Sequence, residues 1–259
     1  MKGLLVELWR SRGLVDALVR RYIATRYRGS LLGCLWSFLN PLCLMAVYTL
    51  VFKYYMRVQG GPQYSLMVFA GLLPWIWTTS ALQEGTSSLV SSGHLITKSM
   101  FPGHILPFVS VVASLVHFVL ALPILFFFMV LSGVHVGVSW LALPGLMAVH
   151  FIALWGLALA LSSLNVFYRD VQHLLGNILT FLFFLCPIIY PREMIPEKFR
   201  FWVELNPFAL LTSCYQMICI EGRLPPISWC GYLVASAAVL LGIGISVHNA
   251  KRERFAEVL

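Results

Sequence analysis

From residue 99 to residue 168 the chain contains no Asp, Glu, Lys or Arg. Soluble domains carry about 25% charged residues, so a run of this length has no place on a water-exposed surface. Over the whole sequence only 11% of residues are charged and 59% are hydrophobic, with a mean hydropathy of +0.84. A helix crossing a bilayer needs about 20 apolar residues. The run therefore accommodates two, separated by the Gly-Val-His-Val-Gly turn at 133–137. In hydrocarbon every backbone N–H and C=O must be satisfied within the protein, which here selects helices. The expected fold is an all-α polytopic membrane protein embedded in the lipid bilayer.

The same test places spans at about 31–52, 64–83, 103–131, 140–164, 171–190 and 228–247. Residues 201–220 are nearly apolar enough for a seventh, but Glu204 and the Asn206-Pro207 break would leave that helix poorly satisfied in lipid. Charge decides the count. Lys2, Arg10, Arg12, Arg20, Arg21, Arg26 and Arg28 crowd one end and Lys251, Arg252 and Arg254 the other, so the positive-inside bias puts both termini in the cytoplasm. That requires an even number of spans, six, with 191–227 as an outer excursion containing re-entrant helices. The expected organisation is an interfacial helix at 1–30, a transmembrane domain at 31–248 and a cytoplasmic tail at 249–259.

The N-terminus lacks the short apolar core of a cleavable signal peptide. At about 100° per residue, Leu4, Leu8, Val15, Leu18, Val19 and Tyr22 share one face, and Glu7, Arg10, Arg20 and Arg21 lie opposite. A basic amphipathic helix of this kind lies in the headgroup layer. Packing of the same face on a partner is the alternative.

The residues also exclude several kinds of chemistry. The six cysteines show no C-x-x-C spacing and the seven histidines no H-E-x-x-H pair, so no metal is assigned. Ion-coupled transport normally needs ionisable groups inside the membrane, and only Glu84 qualifies. No nucleophile with a neighbouring base is readable. Lys98-Ser99 is preceded by Thr97 and Ser92 where a phosphate-binding loop needs Gly, so ATP hydrolysis would have to come from another chain. A membrane subunit driven from outside needs a docking surface. The loop at 91–107 offers one, with apolar Ile96, Met100 and Phe101 beside Lys98, although its composition equally suits an interfacial connector.

The stretches RYRGSLLGCLWSFLNPL (26–42), KSMFPGHILPF (98–108), LNVFYRDVQHLLG (164–176), CPIIYP (186–191) and LNPFALL (205–211) resemble the membrane subunit of ABC-2-type exporters, specifically the polysaccharide and O-antigen export permeases. The resemblance spans nearly the whole chain. It implies a multi-pass permease of the bacterial inner membrane that forms a homodimer and joins two ATP-binding subunits, which hold ATP and Mg; no nucleic acid is involved. It further implies export of a polyprenyl-diphosphate-linked glycan, with the 98–102 loop on the ATPase and short re-entrant helices after Tyr190. A drug- or lipid-exporting relative, or a non-transporting scaffold, is the alternative.

Arg169 and Asp170 follow directly on the uncharged run. In a resembling exporter they start the fifth span in a cytoplasmic turn, where Asp170 suits the positive helix end and Arg169 can reach a phosphate or a partner. Either coupling to the ATPase or simple capping and anchoring accounts for them. For the substrate path, aromatic faces suit passing sugars, which nominates Trp36, Tyr48, Trp75, Trp77 and Tyr190. An interfacial aromatic belt would use the same residues.

Overall fold

The computed structural model describes residues 2–57, 63–98, 101–134 and 136–259, with backbone alone at 2–5, 27, 34, 97, 98 and 256. Every regular element among them is helical. In chain order these are α1 (Lys2–Arg10), α2 (Arg12–Tyr27), α3 (Trp36–Tyr48, continued by a π-helical turn, Thr49–Tyr55), α4 (Tyr64–Ser91), α5 (Gly93–Lys98), α6 (Ile105–Leu131), α7 (Leu143–Phe167), α8 (Asp170–Leu185), α9 (Glu197–Leu205), α10 (Pro207–Gln216), α11 (Ile227–Lys251) and α12 (Phe255–Val258).

Among the described residues five helical stretches are long and apolar enough to cross a membrane: Trp36–Tyr55, Tyr64–Ser91, Ile105–Leu131, Val138–Phe167 and Ile227–Arg254. The chain is a multi-pass helical membrane protein. The stretch expected at 171–190 is different, because α8 has 16 residues and so spans about 24 Å, short of a hydrocarbon core of about 30 Å. It ends where Pro187 forces the preceding Cys186 into extended backbone, φ −93° and ψ 140°. The boundary expected at residue 83 also falls inside a continuous helix, since nothing between Gln83 and Ser91 breaks α4.

α4 is the axis of the core. Phe69, Leu72, Trp77, Ala81 and Leu82 are buried by α3, α6, α7, α8 and α10. Small residues bring the backbones together, as they do where hydrophobic burial cannot drive helix association. A Cβ on Gly85 would lie 2.7 Å from the Ala158 Cβ, and one on Gly156 would lie 2.5 Å from the Leu241 backbone. α7 and α11 thus cross at Gly156 and Gly244 with no room for a side chain.

The segment once eligible as a seventh span is two helices. Asn206 breaks it in extended backbone and caps α10 by accepting a hydrogen bond from the Phe208 N–H at 3.0 Å. From Ala209 to Gln216 every residue of α10 is buried, against α4, α7 and α11.

At the N-terminus the expected single amphipathic helix divides at Ser11. Leu8, Val15, Leu18, Val19 and Tyr22 form one face, and that face packs on Ile105, Val109 and Trp155 of α6 and α7. Protein covers it, in contrast to a helix lying free on lipid. Glu7, expected on the polar face, lies 3.5 Å from His104, because α1 wraps over the start of α6.

Candidate functional site

One end of the bundle gathers α5, α12, the α7–α8 turn and α2. Ile96 and Phe101 were expected to project as a docking surface. Both are instead partly buried, leaning with Leu95 and Leu259 on a cluster of Leu89, Leu106, Val166 and Phe255. Pro102 is also partly buried. The backbone of Lys98 closes α5, and Met100 lies outside the described residues. The chain's last helix provides the plug: Phe255 is 2% exposed and packs on Phe167 and His248. Sequence reading assigned the tail only its charge, although Phe255 in a basic stretch was the available signal.

Arg169 and Asp170 are exposed at the same end. Asp170 occupies the first turn of α8, where a carboxylate is favoured by the helix dipole, and neither residue forms an ion pair among the described residues. The Lys251 ammonium sits 4.6 Å from the Phe167 ring and 5.9 Å from Tyr168, fastening α11 beside this turn. The structure therefore places Ile96, Phe101, Arg169 and Asp170 on one end, with Arg169 and Asp170 exposed there beside the charged residues Arg252, Glu253 and Arg254.

Between α2, α4, α5 and α6 lies a cavity of about 430 Å³ lined by Arg21, Tyr22, Arg26, Glu84 and His94 among others. Arg26 reaches from α2 to Glu84, with Nη1 2.5 Å from Oε1. That contact explains how a carboxylate persists in α4: the N-terminal helix α2 supplies its counter-charge. The Tyr22 phenol lies beside Glu84 and Ser110, and burial together with the neighbouring carboxylate pushes its pKa well above the usual tyrosine value.

The five aromatic residues nominated for a path do not share one surface. Trp36 and Trp77 line a second cavity of about 200 Å³ with Arg26, Asn40 and His117. Trp77 is 1% exposed and stacks on Phe118, 5.0 Å between centroids. Tyr48 and Trp75 both meet Phe183 of α8, at 5.4 and 6.0 Å. Tyr190 is at the opposite end, where it donates to the Phe184 carbonyl at 2.9 Å and lines an apolar cavity of about 730 Å³ with Phe199 and Trp202.

Two polar braces that sequence reading missed hold α10 in the core. Gln216 donates through Nε2 to the carbonyls of Pro187, 2.9 Å, and Met67, 3.2 Å. The second brace is centred on His150. Thr78 donates its hydroxyl proton to the Pro74 carbonyl at 2.9 Å, so toward His150 Nε2, also 2.9 Å away, its oxygen accepts. That assigns the ring proton to Nε2 and leaves Nδ1 to accept from the Tyr215 hydroxyl at 3.4 Å. Lone histidines carry no sequence signal of such pairing.

Residues 14–219 match the family described as ABC-2 type transporter. The chain is 38% identical to an O-antigen export system permease protein RfbA of Myxococcus xanthus, over 99% of both chains. It is 30% identical to a protein of the same name from Klebsiella pneumoniae, over 95% of both. It is 22% identical to the polysialic acid transport protein KpsM of Escherichia coli, over 92% of this chain and 93% of that one. Match length and identity together with the apolar helices establish that this chain belongs to the ABC-2 type transporter family.

Proposed function

We propose that this chain is the permease subunit of a polysaccharide exporter in the bacterial cytoplasmic membrane. The observation that carries the reading is end-to-end similarity to two O-antigen export permeases. The cargo is a glycan on a polyprenyl diphosphate, moved outward from the cytoplasmic leaflet. Two copies of the chain form the conduit, and two ATP-binding subunits supply ATP, Mg and hydrolysis. Residues 1–30 sit at the interface, 31–248 form the transmembrane domain with six crossings, and 249–259 form the tail. α8 with the Cys186–Tyr190 turn makes the fifth crossing, and α9 and α10 are the re-entrant pair. Both termini are cytoplasmic, in line with the basic residues at each end.

On this reading the α5 end receives the motor's stroke. Lys98, Met100 and Pro102 meet the ATPase, Ile96 and Phe101 pass the movement to Phe255 and α7, and Arg169 and Asp170 form the second contact. Such a chain of packed side chains can transmit a shift because a dense core does not deform continuously. Trp36, Tyr48, Trp75, Trp77 and Tyr190 lie along the cargo's route, offering sugar-facing aromatic surface without charges that would trap it.

The test is co-expression with ABC ATP-binding subunits from the same bacterium, followed by purification and reconstitution in vesicles. The expected result is a stable complex whose ATP turnover rises several-fold with a polyprenyl-linked glycan. Stimulation by a drug or an ordinary lipid alone would assign a different cargo, and absence of any complex would make the chain a scaffold.

A further inference from the structure

We propose that the cavity between α2, α4, α5 and α6 is a binding site for the phosphate group of an amphiphile, with Arg21 and Arg26 as its cationic ligands. The cavity, about 430 Å³, has a volume on the order of a dozen waters, enough for a diphosphate ester. Its donors select the ligand. The hydroxyls of Thr25, Ser87, Ser88, Ser91 and Ser110 along its wall all donate to helix carbonyls. Arg21, Arg26 and His94 line the same cavity and add guanidinium and imidazole nitrogens to it. Arg21 is exposed and pairs with no carboxylate among the described residues. The described ion pair of Arg26 uses Nη1 alone, leaving guanidinium donors for a second anion. Planar guanidinium groups match phosphate oxygens two at a time.

Position supports the same ligand. α2 is the basic helix of the N-terminus, with Arg12, Arg20, Arg21 and Arg26; with residues 1–30 at the membrane interface, as the export reading has them, the cavity opens at the level where lipid phosphates lie. Glu84, the carboxylate already held by Arg26, opposes a bound anion and so favours exchange over permanent retention. Two sources share this chemistry: the diphosphate of an isoprenoid carrier, or the headgroup of a bilayer phospholipid. Assigning the site to cargo rests on the export reading above. Binding itself does not.

The experiment titrates the full-length chain, purified in a phosphate-free maltoside detergent, with farnesyl diphosphate, dioleoyl phosphatidic acid and dioleoylglycerol, and counts bound molecules by native mass spectrometry. Phosphate-bearing amphiphiles are expected to bind at least about tenfold tighter than dioleoylglycerol, and Arg21→Gln to remove about tenfold of that affinity. Arg20→Gln is the control. It removes the same charge one residue away, from a side chain paired with Asp16, and should change nothing. Tighter binding of the diphosphate assigns the site to the carrier; equal or tighter binding of phosphatidic acid assigns it to bilayer lipid. Equal losses in the two arginine variants, or equal binding of dioleoylglycerol, would overturn the site and leave the export reading standing. Arg21-dependent binding in a complex that exports no glycan would do the reverse.

Discussion

Arg26 Nη1 lies 2.5 Å from Glu84 Oε1, joining residues 58 apart in sequence and tying the N-terminal helix to the central one. Glu84 has 24% of its side chain exposed and Arg26 37%, so the pair is sheltered without being sealed. Removing Arg26 alone strands a sheltered carboxylate. Arg26→Ala is expected to cost about 1–3 kcal/mol, and Arg26→Ala with Glu84→Gln less than the single change. Thermal unfolding of the four members of this double-mutant cycle in detergent checks the sign, and strict additivity would show the pair to be incidental.

The α7–α11 crossing has a sharper requirement. Because a methyl on Gly156 would enter the Leu241 backbone, Gly156→Ala should cost about 1–3 kcal/mol by overpacking, and Gly156→Leu should abolish recovery of folded protein. Gly231, on the same α11 with open space around it, is the comparison. Gly231→Ala should leave the melting temperature unchanged or raise it, because alanine restricts the unfolded chain.

Tyr215→Phe tests the tautomer assigned to His150. The substitution keeps the ring that packs on Phe118 and removes only the donor to Nδ1. A buried acceptor left unmatched costs about 1–3 kcal/mol, so a measurable loss of stability is expected. No loss would mean the 3.4 Å contact contributes nothing.

Gly71 and Gln216 should behave as a coupled pair. A Cβ at position 71 would lie 2.8 Å from Gln216 Nε2 and 3.1 Å from Thr212 Cγ2. Gly71→Ala is therefore destabilising, and shortening the amide with Gln216→Ala should relieve part of that cost. The double variant is expected to be more stable than the sum of the two single losses by about 0.5–3 kcal/mol.

Arg169 and Asp170 separate coupling from stability. Both are exposed and unpaired among the described residues, so Arg169→Ala and Asp170→Ala should each change stability by no more than about 0.5 kcal/mol while lowering ATPase-dependent export. Phe255→Ala should do the opposite first, costing about 3–5 kcal/mol as a core truncation and loosening α5. Melting curves and export rates measured on the same preparations distinguish the two effects.

Much of the architecture was legible because hydropathy and charge report the solvent each segment meets. The uncharged run marked α6 and α7, and the Asn206-Pro207 pair marked the break between α9 and α10. The early end of α8 was legible in principle, since Pro187 restricts Cys186, but a window of mean hydropathy does not register a break in backbone geometry. The N-terminal periodicity identified Leu8, Val15, Leu18, Val19 and Tyr22 as one face, with the Leu4 side chain outside the described residues, and was silent on what covers them.

The candidate site was less legible. Ile96 and Phe101 have the composition of a docking surface, and only packing on Phe255, from the far end of the chain, shows them partly buried. The aromatic residues were chosen for chemistry alone, and the fold distributes them over two cavities and the Phe183 cluster. Sequence by itself determined the class of this protein, a basic-ended helical membrane chain, because those properties are sums over local composition. Tertiary structure decided the partners of Glu84, the donors around His150 and the room left at Gly156. Each depends on side chains brought together from distant helices, where a difference of about one ångström separates a contact from a clash.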